Sequence, residues 1–265
     1  MIKTNLCNKS NAKSIVAKSG VFSVIEYERD LSIDPQMAQT AYYASKMDVR
    51  KRQLVANILS ETGVVTQRGM MQLMLGDISV DTGLTGVKDL MKKLASSMVT
   101  NETAIKPHYT GNGTLVLEPT FNHILLEDLD KWKTGIVIED GMFLACEDSV
   151  ELKVEARKTA SSLVLGNEGI FNSVLYGEGV VALESPVPSD EIIVVDIDDD
   201  IIKIDGNMAI AWSPDLEFIV EKTTSTLIGS AVSGEGFVNV YSGTGKVLIA
   251  PVRHNKVISI PDSDK

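Results

Sequence analysis

Gly243-Thr244-Gly245-Lys246-Val247-Leu248-Ile249-Ala250-Pro251 decides how this chain is read, because near-copies stand at Gly111-Asn112-Gly113-Thr114-Leu115-Val116-Leu117-Glu118-Pro119 and at Gly177-Glu178-Gly179-Val180-Val181-Ala182-Leu183-Glu184-Ser185-Pro186. Successive copies begin 66 residues apart (177 − 111 and 243 − 177). A fixed period signals an architecture of stacked or wrapped units. Each copy reads as a glycine turn followed by a β-strand, so Leu115 and Leu117, Val181 and Leu183, and Val247 and Ile249 are expected at equivalent core positions.

Short apolar runs and turn signals alternate around these copies. The first unit starts at Gln53–Leu59 and continues through Val64–Gln67, a turn at Arg68-Gly69, Met70–Met74, a turn at Gly76-Asp77 and Ile78–Thr82. The second reads Gly135–Ile138, Asp140-Gly141, Met142–Cys146, Asp148 and Val150–Val154. The third reads Ile201–Ile204, Asp205-Gly206, Met208–Trp212, Asp215 and Leu216–Val220. Asp-Gly suits a hairpin because the turn needs positive φ. The first unit departs from this plan between Gly83 and Glu102, where Leu84, Val87, Leu90, Met91, Leu94 and Met98 mark one face of a helix that caps the barrel or packs on a subunit. Its three lysines are a weak signal for a membrane surface.

Ahead of the units, Ser14–Lys18 and Val21–Tyr27 flank Ser19-Gly20 and read as a hairpin. Asp34-Pro35 starts a helix that runs to about Met47, since Asp caps the first N–H groups and Pro has none to satisfy. Met37, Ala38, Ala41, Tyr42, Ala44 and Met47 gather on one broad side, expected to dock on the sheet.

The chain of 265 residues has a net charge of −11. Residues 1–60 hold nine Lys/Arg against five Asp/Glu, which leaves 16 against 31 for the remainder. An acidic repeat region disfavours nucleic acid, and Arg50-Lys51-Arg52 is the one basic cluster that argues the other way. Cys7 and Cys146 are too few for a disulfide framework, no secretory leader pattern opens the chain, and no apolar run is long enough to span a bilayer. A soluble protein of a reducing cytoplasm is expected.

The motifs that could carry chemistry fail on context. Gly243-Thr-Gly-Lys246 lacks the first Gly and the final Ser/Thr of a phosphate loop, with Val240 and Val247 in their places, and it leads into a strand. Gly177-Glu-Gly179 lacks a βαβ setting. Asp196-Ile-Asp198-Asp-Asp200 lacks the calcium-loop pattern and reads as a charged hairpin turn. His108, His123 and His254 have no ligand spacing with one another or with a Cys. Cys146 ends an apolar strand and reads as a buried structural thiol, and neither Ser161-Ser162 nor Ser230 sits in a nucleophile elbow. No catalytic, cofactor-binding or metal-binding residue is assigned; His108, His123 and Cys146 are the side chains left for an enzyme of unrecognised type.

The set Gly141–Cys146, Gly166–Phe171, Gly206–Trp212, Gly234–Val238 and Gly243–Ile249 resembles the bacterial relatives of the mitochondrial biogenesis family named for altered inheritance of mitochondria, over about residues 52–253. The resemblance implies an all-β fold similar to the tryptophan RNA-binding attenuation protein, made of pseudo-repeated sandwich or barrel units of double-stranded β-helix type, often oligomeric and with no established enzyme activity. Residues 1–51 lie outside it as a small α+β extension, residues 52–253 form the three-unit domain, and residues 254–265 are a tail. The expected role is a non-enzymatic scaffold or interaction protein that self-associates, with a trimer favoured; the alternative is a small-ligand or RNA-binding module.

Overall fold

A computed structural model describes residues 2–29, 33–83, 106–156, 171–205, 208–222 and 237–252. The helix expected between Gly83 and Glu102, residues 166–170, 206–207 and 234–236 of the glycine segments, and the tail lie outside the described residues. The strands are β1 (Lys13–Ser19), β2 (Phe22–Tyr27), β3 (Arg52–Ile58), β4 (Val64–Thr66), β5 (Met71–Asp81), β6 (His108–Leu117), β7 (His123–Asp128) and β8 (Ile136–Ile138). They continue as β9 (Phe143–Glu147), β10 (Val150–Ala156), β11 (Phe171–Gly177), β12 (Val180–Ser185), β13 (Ile193–Asp205), β14 (Ala209–Trp212), β15 (Glu217–Lys222) and β16 (Phe237–Ile249). Among the described residues one short helix, α1 (Ala38–Lys46), accompanies them, and the fold is all-β.

Two sheets form. The first runs β1-β2-β3-β6-β4-β9-β12-β7 with β5 on the other flank of β6, and the second runs β10-β11-β8-β14-β16-β13 with β15 also on β16. All named strand pairs are antiparallel, as short turns between successive strands require.

The stretches after the three Gly-x-Gly segments bury the expected positions, and the residues between them, Val116, Ala182 and Leu248, are buried too. Leu115 and Leu117, Val181 and Leu183, and Val247 and Ile249 are all buried, each pair in a different hydrophobic cluster. The pairing also coincides. Leu117 faces Met71 and Val116 faces Leu73, which bulges Gln72; Leu183 faces Phe143 and Ala182 faces Ala145, which bulges Leu144; Ile249 faces Ala209 and Leu248 faces Ala211, which bulges Ile210. A bulge adds one residue to one strand and bends it.

Where turns were expected, two of the three glycine pairs instead lie inside long strands. Gly111-Asn-Gly113 is the middle of β6 and Gly243-Thr-Gly245 the middle of β16; only Gly177-Glu-Gly179 separates two strands. The expected turn at Gly76-Asp77 is absent too, because β5 continues through it with Gly76 paired to Gly113. Here two strands bend together: a Cβ on Gly113 would run into the Leu75 carbonyl oxygen, and one on Gly111 into that of Asp77. Glycine lets the backbones approach and supplies the positive φ of 103° at Gly76 and 120° at Gly111. The charged turn expected at Asp196–Asp200 is likewise a bulge within β13, with Asp199 at φ 50° donating its N–H to Thr244 Oγ1 at 3.0 Å. Asn112, the counterpart of Thr244, accepts from the Ser60 N–H at 3.1 Å. In both strands the residue between the glycines satisfies a backbone donor at the facing bend.

The N-terminal hairpin joins the first sheet, with Phe22 paired to Ala56 and a cluster of Ile25, Val55 and Val116 covered by Leu6, Ile15 and Tyr27. Asp34 caps as expected, its Oδ1 accepting from the Gln36 N–H at 2.8 Å. The apolar side of the helix does not dock on the sheet as expected. Its inward residues Ala41, Ala44 and Ser45 are only half-buried, whereas Tyr42, Tyr43 and Met47 are exposed. Three short side chains cannot bridge the gap to the sheet, and a cleft is left beneath the helix.

Candidate functional site

The cleft under α1 has a volume of about 970 Å³ and is walled by Tyr27, Ile33, Tyr42, Arg50, Lys51 and Phe121. Glu26 on β2 and Glu28 just past its end stand beside Arg50, which leads into β3, and Arg52, which opens it. Arg50 Nη1 lies 3.0 Å from Glu26 and 2.8 Å from Glu28, its Nη2 2.7 Å from Asp48, and Arg52 Nη2 2.8 Å from Glu26. Lys51 Nζ stands over the Phe121 ring at 5.8 Å. Two of the three cations of the basic cluster are therefore held by carboxylates of their own sheet, and Arg52 is buried. This cluster organises the cleft more than it offers charge to a phosphate backbone.

The three candidate side chains for chemistry do not converge. His108 and Cys146 lie on strands flanking β4, both opposite Val65, about 10 Å apart by two strand spacings. His108 Nε2 meets Asp148 Oδ2 at 3.3 Å on the surface. His123 starts β7, and burial holds its imidazole below the ordinary value, with Arg52 acting in the same direction and Glu26 and Glu191 opposing. Cys146 is fully buried, and burial pushes its thiol up to about 12, with Asp148 and Glu147 adding to the rise and Lys106 opposing it. A thiol this hard to ionise is a poor nucleophile and metal ligand. Among the described residues no three of His, Cys, Asp and Glu form a metal-sized group.

The Cys146 shift has a measurable sign. Protonation in the folded state exceeds that in the unfolded state, so the contribution is complete below about pH 9 and is lost as pH rises towards 12. At pH 8 a thiol reagent should modify exposed Cys7 and spare buried Cys146, and both should react in denaturant. Two fast-reacting thiols in the native protein would contradict the buried placement.

Glu147, one residue on, was not singled out by sequence. Its carboxylate is buried and accepts from the Val21 N–H at 2.9 Å and the Val180 N–H at 3.0 Å, so it ties the N-terminal hairpin to the strand after Gly179. Ser213, 66 residues later, repeats half of this by accepting from the Lys246 N–H at 2.9 Å.

Two sheet edges were also missed. Strand β5 has a partner only on its β6 side and β13 only on its β16 side among the described residues. Met71, Leu73, Met74 and Val80 on β5 and Ile193, Val194 and Ile201 on β13 are exposed. A sequence signal existed in the unbroken apolar stretches Leu73-Met74-Leu75 and Ile192–Val195, since a strand with one solvated face alternates.

The family model described as mitochondrial biogenesis AIM24 matches residues 46–252. The chain belongs to this family. An uncharacterised protein from Streptococcus pyogenes serotype M6 is 26% identical over 193 residues, which cover 70% of this chain and 75% of that protein. A crystal structure of a Streptococcus pyogenes protein, 24% identical, superposes with a TM-score of 0.56 over 77% of this chain and 89% of that one. That likeness supports the fold alone. The AIM24 match begins inside the region read as an extension, at the end of α1. Among the described residues no helix is long and apolar enough to cross a membrane.

Proposed function

We propose that this AIM24-family protein is a non-enzymatic scaffold that works as a self-associated assembly, with a trimer as the favoured state, and that its sequence period corresponds to three equivalent units. The observation that carries the reading is a pair of long edge strands, β5 with exposed Met71, Leu73 and Met74, and β13 with exposed Ile193, Val194 and Ile201 on either side of its acidic bulge. Unpaired strand edges are templates for adding another strand, and soluble proteins normally blunt them with charge, proline or a covering element. Strand β5 shows little such protection between Met71 and Leu75. A patch of this kind marks an interaction surface. The ion-paired arginines, the neutral buried thiol and the separated histidines support a role in holding partners rather than transforming substrates. Size-exclusion chromatography with light scattering at micromolar concentration should give a mass near three times 28.7 kDa. A mass of one chain under those conditions would remove the self-association reading.

A further inference from the structure

The two junctions inside the chain define how the open edges would be filled. Strand β4 pairs with β9 as Val65 to Cys146 and Thr66 to Ala145. Strand β8 pairs with β14 as Val137 to Trp212 and Ile138 to Ala211. These are the same junction, because the donor strands align through their partners: Val64 faces Tyr109, Ile136 faces Leu175 and Ile202 faces Tyr241, and those three partners are 66 residues apart. The receiving strands align likewise, since Met74 faces Leu115, Cys146 faces Val181 and Trp212 faces Val247. Lys203-Ile204 of β13 is thus the third donor and Leu73-Met74 of β5 the third receiver, yet no bridge joins them among the described residues.

On the receiving strand, burial tracks the missing junction, while the donor Ile204 is already buried in its own core. Cys146 and Trp212 are 0% and 3% exposed and Ala145 and Ala211 both 0%, whereas their counterparts Met74 and Leu73 are 37% and 43% exposed. Building on the self-association reading, we propose that β13 of one copy pairs antiparallel with β5 of a second copy of this chain, in the register Lys203 opposite Met74 and Ile204 opposite Leu73. The occupant is a second copy because the complementary edge is carried by this chain and follows a pairing it already makes twice. The contact is heterologous, so each copy offers one edge of each kind and repeated pairing closes a ring or continues as a filament according to the rotation per step.

Cysteine cross-linking tests the register. Directly opposed residues in an antiparallel pair have Cα atoms about 4.5–5.5 Å apart, within disulfide range. In a Cys7→Ser background, Met74→Cys and Lys203→Cys chains carrying different tags are co-expressed and treated with oxidised glutathione. Lys203 is exposed and paired only at the surface with Glu221, so its replacement leaves the core intact. With the two chains mixed evenly, a two-chain band bearing both tags, holding up to about half of the chains and absent when Lys153→Cys replaces Lys203→Cys, is the expected result. If the double variant Met74→Cys/Lys203→Cys instead gives only an internally bridged single chain, the edges close within one molecule and the proposal falls. If light scattering shows an oligomer but no cross-link forms, self-association stands and this register is wrong. If light scattering shows a single chain, both fall.

Discussion

Replacing Glu147 by Ala should destabilise the fold by about 3 kcal/mol, because it strands one buried and one half-buried N–H donor, whose loss costs roughly 1–3 kcal/mol each. Val21 sits at the N-terminal hairpin and Val180 just after Gly179, so one substitution loosens two connections that are far apart in sequence. Cradling glycines sharpen the effect: a Cβ at Gly20 or Gly179 would collide with the Glu147 carboxylate, so the backbone is shaped around this side chain. For a chain of this size about 3 kcal/mol corresponds to a fall in Tm of roughly 6–12 °C. Glu147→Gln keeps one acceptor oxygen and should lose about half as much. Chemical denaturation of the three proteins checks the order, and an alanine variant as stable as the wild type would remove the clamp from the account.

Gly113→Val should be comparably severe, at about 3 kcal/mol, for a steric reason. The added Cβ meets the Leu75 carbonyl and the Ile78 side chain where β5 and β6 bend together. Overpacking commonly costs about 1–3 kcal/mol, and backbone on one side of the clash leaves no rotamer by which to escape. Gly141→Ala is the control: it has positive φ and no atom near its missing Cβ, so it should cost about 1–2 kcal/mol through backbone conformation alone. If the two variants unfold at the same denaturant concentration, the bend is not the close approach described. A loss of oligomer in Gly113→Val with little loss of monomer stability would place the bend in assembly instead.

The candidate site was far less legible than the fold. Asp34 announced its cap because the partner N–H lies two residues away, and Cys146 announced its burial because it ends a run of apolar residues. Arg50-Lys51-Arg52 read as a basic cluster because Glu26 and Glu28, which hold the two arginines, precede them by more than 20 residues. Glu147 carried no local mark at all, since its donors are 126 residues before it and 33 after it.

By itself the sequence determined an all-β chain, the 66-residue spacing of the glycine segments and the burial of Leu115 and Leu117, Val181 and Leu183, and Val247 and Ile249, because apolar runs and spacing are properties of neighbouring residues. Only the tertiary structure decided that Gly111-Asn-Gly113 and Gly243-Thr-Gly245 bend inside continuous strands while Gly177-Glu-Gly179 breaks one, and that β5 and β13 are edges. Glycine permits a turn and a bend alike, and the choice rests on the facing strand: Gly76–Ile78 stays paired with Gly111–Gly113 through the bend, whereas at Gly177–Gly179 the partners change from β8 and β10 to β7 and β9. Those partners lie tens of residues away in the chain and meet only once it has folded.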